Sequence, residues 1–409
     1  MAPLRFMDLD LEIATPMMTG GADQNAELRP PSFRGVMRLW LRALAGGMLG
    51  DDVPRVRHLE TAVLGGGHQG SPTALRALGE PARSRIPVNP QDFPGFAYML
   101  WSVYQMRRDC LLAGERFRLR LQTTPIDPPR PDLDGLSLDR EAVWLWGLAS
   151  FWLMVRLGSC GKRSRRGAGV LRIDAQPAGW PGELPPLVSS SSSPSELAEE
   201  LARDLGAIRR MAGVEPPARI QAPSSFDILH PDTCSLFVLD RSFPSWWEAL
   251  DAVGREFRAF RALEPNDYTG IKAILTGGRA AFQTVKRAVF GLPLPFFFSS
   301  LFRELTEKGV SPQEARVRSS AMVMPRRGDR RASPLFFRVN RLSGEESGWT
   351  VLLGLWRSQF LPDGVLTVRP RDRSLRPVTV SAPSDYSYME QCLAHLGQTV
   401  APLIPVAYQ

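Results

Sequence analysis

The sequence predicts an α+β fold, because apolar residues recur at every second position in some stretches and at every third or fourth in others. These strand and helix patterns interleave from one end of the chain to the other. A Pro-, Gly- and Ser-rich stretch at 176–195, ending in the run Ser189 to Ser193, divides them into two halves and is expected to be a flexible linker.

The first strand is marked by Met7, Leu9, Leu11 and Ile13 alternating with Asp8, Asp10 and Glu12, and Thr15-Pro16 ends it. Gly20 and Gly21 permit positive φ and let a ligand come close to the backbone. Pro30 and Pro31 stiffen the loop exit, and Ser32 is the expected N-cap of a helix. In that helix Phe33, Val36, Met37, Trp40, Leu41 and Leu44 form the core face. Arg34, Arg38 and Arg42 stand four apart beside it, as a ridge that fits either a solvated face with buried stems or an anionic partner. Residues 50–94 are rich in Gly and Pro, including Gly65-Gly66-Gly67-His68, and are expected to be a surface insertion.

Phe117, Leu119 and Leu121 alternate with Arg116, Arg118 and Arg120, predicting a strand at 115–123 whose basic outer face is either a nucleic-acid surface or merely solvated. An apolar helix follows at 139–157, too short in its apolar run to cross a bilayer. A glycine-rich segment at 158–169 and a short strand at 170–174 complete the first half. Strand, helix, strand or hairpin, helix, strand is the ferredoxin-like order, so residues 1–175 read as one such domain. Residues 196–409 read as a second, more decorated α+β domain. Its helices are expected near 196, 245–263, 280–290 and 385–396, and its strands near 236–240, 317–324, 335–341 and 350–357.

A length of 409 residues with 44% hydrophobic content supports real cores, and a formal charge of +8 with a pI near 9.7 favours a polyanionic partner. Arginine dominates the basic set. That suits bidentate phosphate contact, and it is also what a GC-rich genome encodes. Cys110, Cys160, Cys234 and Cys392 show neither metal-ligand nor disulfide spacing, and the N-terminus lacks a signal-peptide build. A reducing cytoplasm is therefore expected, with no membrane partner and no cofactor.

Gly161-Lys162-Arg163-Ser164-Arg165-Arg166-Gly167-Ala168-Gly169 sets four cations between glycines, where freed backbone amides could face phosphate oxygens. No Walker pattern is present, so nucleotide hydrolysis is not implied. Taken together, the GGADQ loop, the PSFRG helix start with RLWLRAL, the GKRSRRGAG loop, and the downstream motifs Phe290-Gly291-Leu292-Pro293 and Arg330 to Leu335 resemble the RAMP superfamily. Within it the resemblance is to the first-subunit family of the type III-B CRISPR effector, the Cmr complex.

The resemblance implies tandem ferredoxin-like, RRM-related domains with insertions, in a non-catalytic subunit at the head of a ribonucleoprotein. That position lies near the 3′ end of the CRISPR RNA, where the subunit helps capture target RNA beside other subunits of the complex. It implies RNA contacts at Lys162, Arg163, Arg165, Arg166 and Gly167, at Arg34 and Arg38, and at Arg330 and Arg331. Gly20, Gly21, Arg29 and Arg42 join them as neighbours in the same loop and helix. Ala168 stands where the family often has an aromatic, which removes any stacking role there. Alanine at Arg165 or Arg166 is expected to weaken RNA association and flatten its salt dependence, with little change in fold stability.

The alternative function is a metal-dependent RAMP endoribonuclease using a loop aspartate, for which Asp23 is the candidate. Only Glu27 lies near it in sequence, His58, His68, His230 and His395 are isolated, and no catalytic or metal-ligating set emerges.

Overall fold

The computed structural model describes residues 4–21, 23, 25–101, 108–128, 136, 138–211, 213–262, 265–278, 283–344 and 348–408. The elements of the first half are β1 (Phe6–Ile13), α1 (Pro30–Leu49), α2 (Val53–Leu64), β2 (Thr73–Leu78), β3 (Arg83–Ser84), α3 (Pro94–Met99), β4 (Cys110–Leu111), β5 (Arg116–Thr123), α4 (Arg140–Arg156) and β6 (Leu171–Arg172). There follow α5 (Pro194–Arg210), β7 (Cys234–Leu239), α6 (Trp246–Ala262), α7 (Pro265–Leu275), β8 (Leu294–Phe297), α8 (Ser299–Glu307), α9 (Pro312–Arg318) and β9 (Ser320–Pro325). The chain closes with β10 (Leu335–Arg341), β11 (Trp349–Trp356), β12 (Val365–Pro370), β13 (Val378–Ser381), α10 (Ser387–Thr399) and β14 (Leu403–Pro405). The fold class is α+β.

Two compact units divide the chain: Met1–Arg255 with Phe336–Ser358 and Gly397–Gln409, and Glu256–Leu335 with Gln359–Leu396. The first holds two four-stranded sheets, in the orders β2-β5-β1-β6 and β10-β11-β7-β14, beside the small two-stranded sheet β3-β4. Ranked along the chain, each sheet runs second, third, first, fourth. In the first sheet the inward residues of β1, Met7, Leu9, Leu11 and Ile13, meet those of β5 and the apolar faces of α1 and α4, with Phe33, Trp146, Phe151 and Trp152 in the same core. Trp40 lies there too, its ring 5.6 Å from that of Trp356 and 6.2 Å from that of Phe336, so helical spacing read its burial correctly. The second unit is built on the sheet β13-β12-β9-β8 and has its own core around Phe296, Phe298, Val323 and Leu366.

Several expectations are corrected. Residues 50–94 are a surface element only in part: 79–93 are exposed or half-buried throughout, whereas 50–78 hold core elements. Helix α2 buries Val56, Leu59, Val63 and Leu64 in the main core, capped by Asp52, whose carboxylate accepts from Arg55 N, and β2 is an edge strand of the first sheet. The glycines and prolines there punctuate elements instead of replacing them.

Nor is 176–195 a flexible linker. Leu184 and Leu187 are buried, the Trp152 indole donates to Pro186 O, and Glu200 accepts from Ser190 N at 3.0 Å and Ser191 Oγ at 2.7 Å. The predicted boundary at 195 therefore falls inside the first unit, and the second unit is an excursion of the chain instead of a C-terminal half.

Helix α1 starts at Pro30, with both prolines in its first turn where their missing N–H groups cost nothing, and Ser32 lies inside it. The expected strand at 317–324 is the end of α9 followed by β9. The expected helix at 280–290 is a 3₁₀ turn, Lys286–Phe290, with residues 280–282 outside the described residues. Ser193 caps α5, its hydroxyl accepting from Glu196 N, while the Glu196 carboxylate reaches back to Ser192 N, one residue earlier than a capping box requires.

Candidate nucleic-acid interface

Two loops meet at the end of β1. The first is closed by a bridge between Gly20 and Ala26 and by Thr19, whose hydroxyl donates to Glu27 O while its carbonyl accepts from Glu27 N. Arg29 donates to Gly20 O at 3.0 Å and pairs with Glu27. The Asp23 carboxylate accepts from both the backbone and the side-chain nitrogen of Asn25, the geometry of a loop-shaping Asx turn.

Residues 158–169 form the second loop, laced to the exit of β1. Lys162 N donates to Met18 O at 2.9 Å, Gly169 N to Pro16 O at 3.0 Å, and the Thr15 hydroxyl to Gly167 O at 2.8 Å. Within the loop, Arg166 N and Ala168 N both donate to Arg163 O. The glycines serve this self-packing. Gly161 has φ 88°, and a Cβ on it would lie 2.6 Å from Met18 O, while one on Gly169 would collide with the Cys160 carbonyl oxygen. Arg163 itself adopts φ 60°.

The loop's arginines split into two roles. Arg166 is 7% exposed, lies 5.4 Å above the Phe337 ring and is joined to Phe337 by a backbone bridge. Arg165 pairs at 2.8 Å with Asp227, which is 8% exposed and also accepts from Ser358 Oγ. Both hold the loop against β10 and the 227 segment, so the expectation that alanine there would spare the fold is corrected. Lys162 is exposed and Arg163 half-buried, which places the outward charge at the front of the loop.

The ridge on α1 is likewise engaged. Arg38 donates to Leu64 O and Gly65 O, both at 2.6 Å, and to Glu60 Oε1 at 2.6 Å, while Arg34 also donates to Leu64 O. These guanidinium groups cap the C-terminal carbonyls of α2, where the helix dipole is negative. Burial, with the Arg38 charge beside it, holds Arg34 below the usual arginine range. Arg42 lies 3.8 Å from Glu60 and is 45% exposed. The basic face of β5 is matched strand against strand: Arg118 meets Asp10, Arg120 meets Asp8, and Arg116 meets Glu12 and Asp174. The acidic half of the first strand's alternation thus neutralises the basic half of β5.

In the second unit, Arg331 is an anchor. Its backbone pairs with Leu292, its Nε donates to Phe360 O at 2.8 Å, and its guanidinium lies over the Phe360 ring. Arg326, Arg327, Gly328, Asp329 and Arg330 form the exposed tip of the turn before it.

Sequence reading missed Asp227, Arg338 and Asn340. Arg338 is 4% exposed and donates to Asn340 Oδ1, Gly158 O, Val155 O and Leu171 O. A lone cation inside the apolar run of β10 was its signal. Among the described residues no group of three or more His, Cys, Asp or Glu could hold a metal ion, and no helix is long and apolar enough to cross a membrane.

The RAMP superfamily model matches residues 10–172. Over 337 residues the chain is 25% identical to the CRISPR system Cmr subunit Cmr1-1 of Pyrococcus furiosus, covering 82% of each. With Cmr1-2 of the same organism it shares 30% identity over 173 residues, 40% of this chain and 92% of that subunit. Among solved structures, the apo form of Cmr1 from Pyrococcus furiosus superposes with a TM-score of 0.59 at 20% identity, covering 99% of both chains. A chain of the type III-B Cmr-beta complex bound to cognate target RNA gives 0.52 at 13% identity, covering 97% of this chain and 99% of that one.

Proposed function

The chain belongs to the RAMP superfamily and, within it, to the Cmr1 subunits, and from that premise we propose that it is a non-catalytic RNA-binding subunit of a type III-B CRISPR ribonucleoprotein. It sits at the head of the particle near the 3′ end of the CRISPR RNA, beside other Cmr subunits in the cytoplasm, and helps capture target RNA. The similar chain in the target-RNA-bound Cmr-beta complex supports this assignment.

Both sheets of the first unit carry the strand order of a β-α-β-β-α-β unit, with a helix after the first-ranked strand and another before the fourth. That supports reading them as tandem ferredoxin-like domains, the second interrupted by the excursion into the second unit.

One observation carries the RNA reading. The basic loop at 158–169 is held rigid by its own backbone and by Arg165 and Arg166, and it presents Lys162 outward beside the Gly20–Ala26 loop. A cation carried on a fixed loop binds phosphate without the cost of ordering the backbone, and it is indifferent to sequence, as suits a subunit whose reading is delegated to guide pairing. Gly20, Gly21, Arg29, Arg163 and Gly167 shape this surface, Arg34, Arg38 and Arg42 flank it from α1, and Arg330 forms a separate contact in the second unit on a turn anchored by Arg331.

The non-catalytic reading is supported by the Asp23 carboxylate shaping its loop through the backbone and side-chain nitrogens of Asn25, and by the lack, among the described residues, of any group of three or more His, Cys, Asp or Glu that could hold a metal ion. Lys162→Ala should weaken binding of the purified chain to single-stranded RNA and reduce the slope of log affinity against log salt by about one phosphate. An unchanged slope would remove Lys162 from the interface. Asp23→Ala should leave RNA cleavage by the assembled particle at the wild-type rate, and loss of cleavage would restore the nuclease reading.

A further inference from the structure

Beside the basic loop, β6, the 187–189 segment and the end of β10 enclose a cleft of about 300 Å³, at the lower end of the range for small-ligand sites. Arg156, Arg172, Arg338, Arg341 and Asn340 line it, with Asp174 as the acidic lining residue. Arg156 is matched by Glu200, and Arg172 by Glu12 and Asp174. Arg338 is matched by none among the described residues.

Four hydrogen bonds to neutral oxygens satisfy most of the Arg338 donors, and two of those oxygens, on Val155 and Gly158, lie at the negative C-terminal end of α4. They compensate only part of a unit charge. Burial, with Arg156 nearby, pushes this guanidinium down to about 9, as expected of a buried cation that lacks a counter-ion. Asn340 adds a second observation. Its Oδ1 must face Arg338 Nε, which leaves its buried amide nitrogen without a hydrogen-bond partner. A site with an unmatched buried cation, an unused amide donor and an exposed arginine at the rim is incomplete without an oxyanion.

We propose that this cleft binds a phosphoryl group, supplied either by the RNA chain or by a free nucleotide, with Arg338, Asn340 and Arg341 as its recognition set. The site is separate from the outward face of the basic loop, so it stands or falls independently of RNA contact at Lys162. Phosphate fits better than a carboxylate, since its oxygens can meet cations and an amide from several directions at once.

The test uses the full-length purified chain and thermal unfolding in sodium phosphate and sodium pyrophosphate, against chloride at matched ionic strength. Wild type should gain a saturable rise in Tm with either anion. Asn340→Asp supplies an internal counter-ion to Arg338, so it should melt higher than wild type in chloride and no longer respond to phosphate. Equal phosphate responses in the two proteins would overturn the proposal.

If Asn340→Asp fails to fold, Arg341→Ala decides. Its phosphate affinity by calorimetry should fall about tenfold, and an unchanged affinity would overturn the site. Competition then identifies the source. Displacement of bound phosphate by adenosine monophosphate assigns a nucleotide, displacement by a short oligoribonucleotide assigns the RNA chain, and displacement by neither contradicts the proposal.

Discussion

Arg165 and Lys162 sit three residues apart in one loop, and the difference between them separates architecture from contact. Arg165 faces a buried carboxylate, so Arg165→Ala removes a charge partner from Asp227 in the interior and should cost about 3 kcal/mol in urea unfolding. Lys162→Ala should change stability by no more than about 0.5 kcal/mol and should act on RNA affinity instead. Similar losses of stability in the two variants would show that the loop is not divided in this way.

Sequence alone could not make that distinction. The partners of Arg165 and Arg166 lie 62 and 171 positions away, at Asp227 and Phe337, and only the fold brings them together. Asp23 stood in the sequence only as a candidate nuclease aspartate, and its turn with Asn25 is a feature of the folded loop.

Asp204 gives a pH signature at the same scale. Burial, opposed by Arg156 and reinforced by Glu200, raises its carboxyl to about 6. Between about pH 4 and pH 6 the folded chain then holds a proton that the unfolded chain has released, so this residue's contribution to stability falls as pH rises through that window. Asp204→Asn should therefore gain on wild type across that range and keep its advantage at pH 7, measured as the difference between the two unfolding curves. A difference independent of pH would contradict the assignment.

At the scale of elements, the strand pairing of β1 with β5 shows how a basic strand face can be electrostatically quiet. Asp8 and Asp10 meet Arg120 and Arg118 in two-bonded pairs, and the carboxyl of Asp8 lies below the ordinary range, chiefly through its hydrogen bonds from Arg120. A double-mutant cycle on Asp8 and Arg120 should give a coupling of about 0.5–1 kcal/mol that shrinks in salt. Arg118→Ala should leave RNA affinity unaltered, and a loss comparable to that of Lys162→Ala would place RNA on the sheet.

Elements with clean periodicity, β1, β5, α1 and α4, were legible to within a few residues. Helix α2 and β2 were not, because six residues of strand between glycines and prolines carry too short a pattern to outweigh their flanks. The serine run misled for a different reason. Its side chains are short enough to satisfy a buried glutamate, Glu200, that no local pattern reveals.

Across the whole molecule, the unexpected feature is the path of the chain. A sheet whose first strand is at 234–239 takes its second and third at 335–341 and 349–356 and its fourth at 403–405, with a second unit formed from the residues between. Hydrophobic patterning located the first three of those strands and not the one at 403–405, and it contains no information on which of them pair, so the second half read as one continuous domain.

RNA–protein crosslinking mapped by mass spectrometry, on the assembled type III-B particle carrying both guide and target RNA, tests the central claim most directly. Adducts are expected within residues 158–169, centred on Lys162, with their loss in Lys162→Ala while the particle still assembles. Adducts on the other subunits but none in residues 15–29 or 158–169 would contradict it.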